Sequence, residues 1–299
     1  MKRHELRSVM ACLVAAVALM IMACGGARTD SPAQPAATGL RLYVFDCGTL
    51  KADPARFRLK PEEVATTDLS VPCFLAVHPR GRLMWDPGAV PDSDWTPTGG
   101  PVLHHLVLPD GTARDLTLRK RLTTQLDEAG HAAKDVEYLA FSHYHYDHTA
   151  NANAFAGATW LVRQVERDAM FSDKPPGVTQ PASYAALKTS KTVIIQADEH
   201  DVFGDGSVII KSAPGHTPGH QVLYLTLPRT GGVVLSGDLY HFPEARTLKR
   251  VTIFDFDQAQ TAVSRDAIEG FLTKTRAQLW IQHDFIGNSR LKKAPDYYD

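Results

Sequence analysis

Directly after an apolar run at Val136–Phe141, the chain places three histidines and an aspartate in Ser142-His143-Tyr144-His145-Tyr146-Asp147-His148. No other stretch constrains the fold as strongly. Imidazole nitrogen and carboxylate oxygen are good Zn²⁺ ligands, and a strand that ends in a tight turn can aim several of them into one cavity. His143 and His145 stand two apart in an extended segment, so they project to the same side and can grip one ion. Asp147 and His148 follow where the chain turns into a helix, within reach of a second ion.

Two ions need further ligands, and three later segments offer them. Ala213–His220 holds His216 in a turn fixed by Pro and Gly, Ser236-Gly237-Asp238 follows the apolar run Val233–Leu235, and Gln282-His283-Asp284 follows Leu279–Ile281. Each alone reads as a polar residue at a strand end. Together, in this order, they demand a fold in which strand ends far apart in sequence meet at one place.

The remaining pattern fits such a fold. Strand-like runs occur at Leu42–Phe45, Cys73–Val77 and Leu83–Trp85, separated by turns at Pro79–Gly81 and Asp86–Gly88. Leu118, Leu122 and Leu126 are four apart and predict a helix over Leu116–Gly130, which Gly130 is placed to end. A second helix is expected from about Thr149. Strands are expected at Val193–Gln196, Ser207–Ser212, Gln221–Thr226, Gly232–Leu235 and Gln278–Ile281, with a helix over Asp257–Thr275. Strands and helices in both halves, without the regular alternation of a barrel, predict an α+β fold of two sheets covered by helices.

The first residues differ from the rest. Lys2, Arg3 and Arg7 precede the apolar segment Val9–Ala23, which is short for a membrane span and has the layout of a signal peptide. Ile21-Met22-Ala23-Cys24 resembles a bacterial lipobox, which implies lipid on Cys24 and a place in the periplasm or on the outer membrane. Ala27–Gly39, rich in Ala, Pro, Thr and Ser, reads as a flexible tether. The expected organisation is therefore a leader over 1–23, a tether over 24–39 and one folded domain over 40–299.

Charge narrows the partners. Lys and Arg number 32 against 33 Asp and Glu, a formal net charge of −1, so the chain has no overall attraction to nucleic acid or an anionic membrane, and a small-molecule substrate is expected. With 4 Cys there is no disulfide framework. Cys47 and Cys73 can pair in an oxidising compartment, but they lie in strand-like runs with no spacing rule and are read as buried thiols. His78, His104, His105, His131 and His200 are read as surface or loop residues. His220 is read as strand packing, with support of a metal ligand as the alternative. Trp85, Trp95, Trp160 and Trp280 read as core, and Tyr144 and Tyr146 as either packing or cavity mouth.

The set His143, His145, Asp147, His148, His216, Asp238 and His283 resembles the dinuclear ligand set of the metallo-β-lactamase superfamily. The resemblance implies a four-layer αββα sandwich holding two Zn²⁺ per chain. It places His143, His145 and His216 on the first metal, Asp147, His148 and His283 on the second, and Asp238 between them. Within the superfamily, Leu42–Gly48, Pro72–Leu75, Asp86-Pro87-Gly88 and Ser142–Phe155 look most like the N-acyl-homoserine lactonases. The activity implied is the opening of a lactone ester by hydroxide held between the metals, with Asp147 and Asp238 taking part. Those enzymes usually carry a Tyr three residues after the bridging Asp. Here that position is His241, preceded by Tyr240, and the resemblance leaves either as donor to the substrate carbonyl. Alternatives are a thioester hydrolase like glyoxalase II, a phosphotriester hydrolase, or a non-catalytic metal-containing surface protein. A bridged pair favours the enzyme, because a structural zinc site is usually closed by four ligands.

Overall fold

In the computed structural model, the described residues are 39–96 and 98–299. The expected leader, Cys24 and all of the expected tether except Gly39 lie outside them.

The apolar runs near residue 40 form long antiparallel strands. In chain order the first sheet takes β1 (Arg41–Lys51), β2 (Asp68–His78), β3 (Gly81–Trp85), β4 (Val102–Val107), β5 (Ala113–Leu118), β6 (Tyr138–Ala140), β7 (Thr159–Val162) and β8 (Thr192–Ile194). The second takes β9 (Glu199–Asp201), β10 (Val208–Ser212), β11 (Gln221–Leu227), β12 (Gly231–Leu235) and β13 (Gln278–Trp280), while β14 (Tyr297–Tyr298) returns to pair with β1. Sheet orders are β4-β5-β1-β2-β3-β6-β7-β8 and β13-β12-β11-β10-β9. The helices are α1 (Leu122–Glu128), α2 (Tyr146–Thr149), α3 (Gln164–Met170), α4 (Pro181–Tyr184), α5 (Pro243–Thr247), α6 (Gln258–Thr275) and α7 (Phe285–Ser289).

Alternation along the strands separates three apolar layers. Leu42, Val44, Phe74 and Trp85 face inward and pack with Val208, Ile210, Leu223 and Leu235 of the second sheet. Their neighbours Tyr43, Phe45 and Leu75 face outward and are covered by Leu122, Leu126 and Tyr184. On the far side, Ile268 and Leu272 of α6 cover Val222 and Val234. Each fully buried Leu, Val or Phe contributes about 1.5–3 kcal/mol, so these layers hold the two sheets face to face and complete the αββα order. Trp85, Trp95 and Trp160 are buried, and Trp280 is half-buried.

Three local expectations change. Leu116 and Leu118 belong to β5, where Leu50 pairs with Leu116, so the expected helix begins only at Leu122. The fourfold leucine spacing runs across two elements, and strand pairing overrides it. From Thr149 the chain makes no long helix. It has one turn in α2 and a 3₁₀ turn over Ala152–Phe155. Cys47 and Cys73 are joined in a disulfide, with Cα atoms 5.8 Å apart. Phe45 pairs with Cys73 across the ladder, and a bulge between Asp46 and Thr49 brings Cys47, on the same face as Phe45, against its partner.

Candidate metal centre

The ligand-bearing segments converge because three strands end at the same edge. β6 runs into Phe141 and the His143–His148 turn, β12 into Ser236-Gly237-Asp238, and β13 into His283, and β12 and β13 are parallel neighbours. The β10–β11 connection adds His216. Gly237 lets the two turns touch: its φ is +49°, and a Cβ there would meet Ser142 Cβ at 2.4 Å. A larger residue would push Asp238 away from the histidines.

Two groups result. One ligand atom from each of His143, His145, His216 and Asp238 lie within 4.8 Å of one another, as do those of Asp147, His148 and His283. Asp238 stands between the groups. Its Oδ2 is 3.2 Å from His216 Nε2 and 3.6 Å from His143 Nε2, and its Oδ1 is 3.2 Å from His148 Nε2 and 2.9 Å from His283 Nε2. Asp147 Oδ2 is 3.7 Å from His283 Nε2.

The outer ring nitrogens are engaged elsewhere. His148 Nδ1 is 2.9 Å from Asp86 Oδ2, His216 Nδ1 is 2.8 Å from Asp255 Oδ1, and His283 Nδ1 is 2.8 Å from the Ser70 carbonyl. Each acceptor fixes the tautomer with hydrogen on Nδ1 and leaves an Nε2 lone pair facing the centre. Ser142 Oγ lies 3.0 Å from His143 Nδ1, while His145 presents Nδ1 inward, 3.2 Å from His216 Nε2. Asp86 also accepts the Ser142 N–H at 2.6 Å.

The residues fit divalent cations. His143 Nε2, His148 Nε2 and Asp238 Oδ1 are fully buried without an aligned hydrogen-bond partner, a costly arrangement for protein alone. Five imidazoles and two carboxylates make the nitrogen and oxygen donor set that zinc accepts. Burial and the neighbouring His148 and His145 hold His143 well below the usual histidine range. Burial also opposes a charge on His216, but hydrogen bonds and charge from Asp238 and Asp255 raise it to about 9. Asp238 is held well below the carboxylate range despite its burial, because His241, His283, His148 and His143 surround it.

A cavity of about 390 Å³ opens over this cluster, walled by Leu50, Phe57, Leu69, Val178 and Phe254, with Arg56 and Arg114 beside His145, Tyr146 and Asp147. A second cavity, of about 490 Å³, lies between Pro91, Leu108, Asn153 and Pro181, and no ligand side chain lines it.

The two donor candidates part company. His241 is buried at the centre, with Nε2 2.9 Å from Asp238 Oδ2. Tyr240 points the other way: its hydroxyl donates to Glu269 at 3.0 Å, and its ring lies under Arg265 against α6. Neighbours in an extended segment face opposite sides, so Tyr240 is removed from the carbonyl-donor role. Tyr146 lines the cavity, whereas Tyr144 is buried and does not line it. His78 is buried against Asp205, while His104, His105, His131 and His200 lie outside the cluster.

Sequence reading found only one of the supports, and only as an alternative. His220, read as strand packing with support of a ligand as the alternative, accepts the Asp238 N–H on Nε2 at 2.9 Å, and its Nδ1 lies 2.9 Å from the Ala213 carbonyl. Burial lowers its pKa to about 3, so it is the neutral tautomer that orients the shared aspartate. Glu166 accepts the N–H of Tyr144 at 3.0 Å and of Gly219 at 2.8 Å, tying the His143–His145 turn to the His216 turn. Burial raises its carboxyl to about 7. Asp255 stands 39 positions from His216, and no spacing in the chain marks it. No local pattern marks Glu166 either, whose burial appears only in the fold.

Comparison with known proteins adds a lineage. The family model described as the metallo-beta-lactamase superfamily matches residues 66–277. The N-acyl homoserine lactonase AttM of Rhizobium radiobacter is 29% identical over 265 residues, covering 87% of this chain and 99% of that protein. Among solved structures, a single-residue variant of B. thuringiensis AiiA with N-decanoyl-L-homoserine bound at its active site is similar at a TM-score of 0.71 and 22% identity, over 86% of this chain and 98% of that one. AidC, described as a dizinc quorum-quenching lactonase, is similar at a TM-score of 0.60 and 18% identity, over 87% and 94%. The two structures share the fold.

Proposed function

This chain belongs to the metallo-beta-lactamase superfamily, and from that premise we propose that it is a two-zinc hydrolase that opens N-acyl-homoserine lactones or close relatives. The observation that carries the reading is Asp238, shared between two histidine-rich groups at the floor of a cavity with apolar walls. Similarity to a curated lactonase over 99% of that protein's length supports the substrate class.

His143, His145 and His216 would hold the first ion, Asp147, His148 and His283 the second, and Asp238 both. When bound, such ions supply Lewis acidity, lowering the pKa of water from 15.7 towards about 7 and polarising a carbonyl. The chain supplies the positions. Asp86, Asp255 and the Ser70 carbonyl hold three imidazoles in one tautomer, so little reorganisation accompanies the reaction. Asp147 borders the cavity, where its carboxylate can orient the attacking water and accept its proton. A lactone keeps its leaving oxygen tethered to the product, so the proton that Asp147 takes from water can be passed on to that oxygen without a separate general acid. Leu50, Phe57, Leu69, Val178 and Phe254 offer an apolar bed for an acyl chain. Each added methylene pair is expected to lower KM by a few-fold, given partial burial at about 0.8 kcal/mol per CH₂.

The test is a panel of acyl-homoserine lactones, a β-lactam, S-lactoylglutathione and a phosphotriester on metal-loaded protein. Ring opening of the lactones is the expected result. Failure on every lactone, with good cleavage of the thioester or phosphotriester, overturns the assignment in favour of a broader hydrolase.

We further propose export with a lipid on Cys24. The basic residues Lys2, Arg3 and Arg7, the apolar segment after them and the lipobox-like Ile21–Cys24 support it, and a Cys47–Cys73 disulfide suits an oxidising compartment. Among the described residues no helix is long and apolar enough to cross a membrane. Wild type is expected in the membrane fraction, and Cys24→Ser in the soluble fraction or unprocessed. Soluble wild type refutes the anchor.

A further inference from the structure

The seven ligands leave one buried imidazole at the centre unexplained. His241 Nε2 lies 2.9 Å from Asp238 Oδ2, the same oxygen that faces His216 and His143. Its ring stacks on that of His283, centroids 5.4 Å apart at 13°, and meets His216 edge-on at 5.2 Å. Phe57 and Phe254 enclose its other sides. One nitrogen or oxygen each from Asp238, His241 and His283 lie within 4.8 Å of one another, a third metal-sized grouping that overlaps the first two.

A phenol at this position offers a substrate its O–H and needs to ionise before it can bind a metal ion. An imidazole has a second option, because its Nε2 lone pair is the donor that the other histidines already present here. The same nitrogen cannot serve both roles, since a donor needs hydrogen on Nε2 and a ligand needs it bare. The surroundings decide between them. Nε2 faces a carboxylate oxygen placed to bind cations, and the ring is wedged between two ligand rings.

We propose that His241 is an additional metal ligand, completing a site with Asp238 and His283. The proposal rests on the two-metal reading above. It also predicts how firmly His241 holds. His148, His216 and His283 each give Nδ1 to an acceptor, whereas His241 Nδ1 is buried without one. A ligand lacking that support binds more weakly. His241 is therefore the ligand that yields when a substrate oxygen needs the position.

The decisive measurement uses wild-type protein loaded with ¹¹³Cd and labelled with ¹⁵N-histidine. Scalar coupling from cadmium is expected to six imidazoles, the five of His143, His145, His148, His216 and His283 plus His241, with the His241 coupling disappearing when the ring-opened homoserine product is added. Coupling to the five alone, with His241 uncoupled, overturns the inference while leaving the two-metal reading intact. Absence of bound cadmium overturns both. In a second arm, His241→Phe and His241→Gln are loaded with Co²⁺. Both variants should show a changed visible spectrum and release one of the two ions to a chelator on the order of 10-fold more readily. Spectra and retention equal to wild type, with only kcat reduced, would return His241 to the role of carbonyl donor.

Discussion

The two halves of the metal centre are anchored by different means. His283 leans on the backbone of β2: its Nδ1 faces the Ser70 carbonyl, and Gln282 Nε2 beside it donates to the Pro72 carbonyl at 2.9 Å. Cys73, the next residue of β2, is tied to Cys47, and the pair packs against Gly88, two residues past the Asp86 that holds His148. The half containing His143, His145 and His216 meets the second sheet instead: Gln221 of β11 donates its N–H to the Ser142 carbonyl and its Nε2 to the Phe141 carbonyl, both at 2.9 Å. It also depends on two buried carboxylates, Glu166 between the turns and Asp255 behind His216. One half is held chiefly by β2 and the disulfide-braced turn at Asp86, the other by β11 and by carboxylates that cross between loops.

The largest expected effect erases the difference. Asp238→Ala removes the residue common to both halves and leaves two cations facing each other unscreened. Elemental analysis should find close to two metal ions per wild-type chain and clearly fewer in the variant. No metal in wild type grown with added zinc would end the two-metal reading. His148→Ala confines the damage to one half, yet should cost more than about 10³-fold in kcat for lactone opening, because both ions act in one reaction.

Removing an orienting carboxylate is gentler and more selective. Asp255→Ala should weaken one ion by about 10- to 100-fold, read by chelator competition on a preparation with two distinguishable metals. Asp86→Ala should weaken the other by a similar factor. If both variants release the same ion first, the halves are not independent.

The disulfide tests the β2-anchored half through stability. Closing a loop of 26 residues is worth about 3.5 kcal/mol by chain entropy. Replacing both cysteines with Ala should therefore lower the thermal midpoint by several degrees and loosen the ion at His148 and His283 before the other. An unchanged midpoint would place the anchoring elsewhere. Least of all should come from Tyr240→Phe, which loses one hydrogen bond to Glu269, about 1 kcal/mol, with kcat unchanged within about two-fold. A large fall in kcat would put its hydroxyl back in the reaction.

The β2-anchored half was the more legible in the sequence. His148 and His283 stand at the ends of apolar runs, and Asp86-Pro87-Gly88 could be read as a turn. His143, His145 and His216 were as plain, but their supports were not. Glu166 looks like any helical glutamate until the fold buries it, and Asp255 meets His216 only after the second sheet and α6 are in place.

The sequence by itself determined which residues can bind metal and that strand ends must gather them, because ligand chemistry and strand periodicity are properties of residue type and short spacing. It also determined the α+β class, since the apolar runs have nowhere else to go. Tertiary structure decided which way neighbouring side chains point and which distant ones meet. A bulge in β1 paired Cys47 with Cys73. The extended backbone after Asp238 sent Tyr240 to α6 and His241 to the centre. Leu118, four residues from Leu122 as if helical, was taken with Leu116 into β5, which pairs with β1. Each outcome depended on a partner elsewhere in the chain whose approach no local pattern encodes.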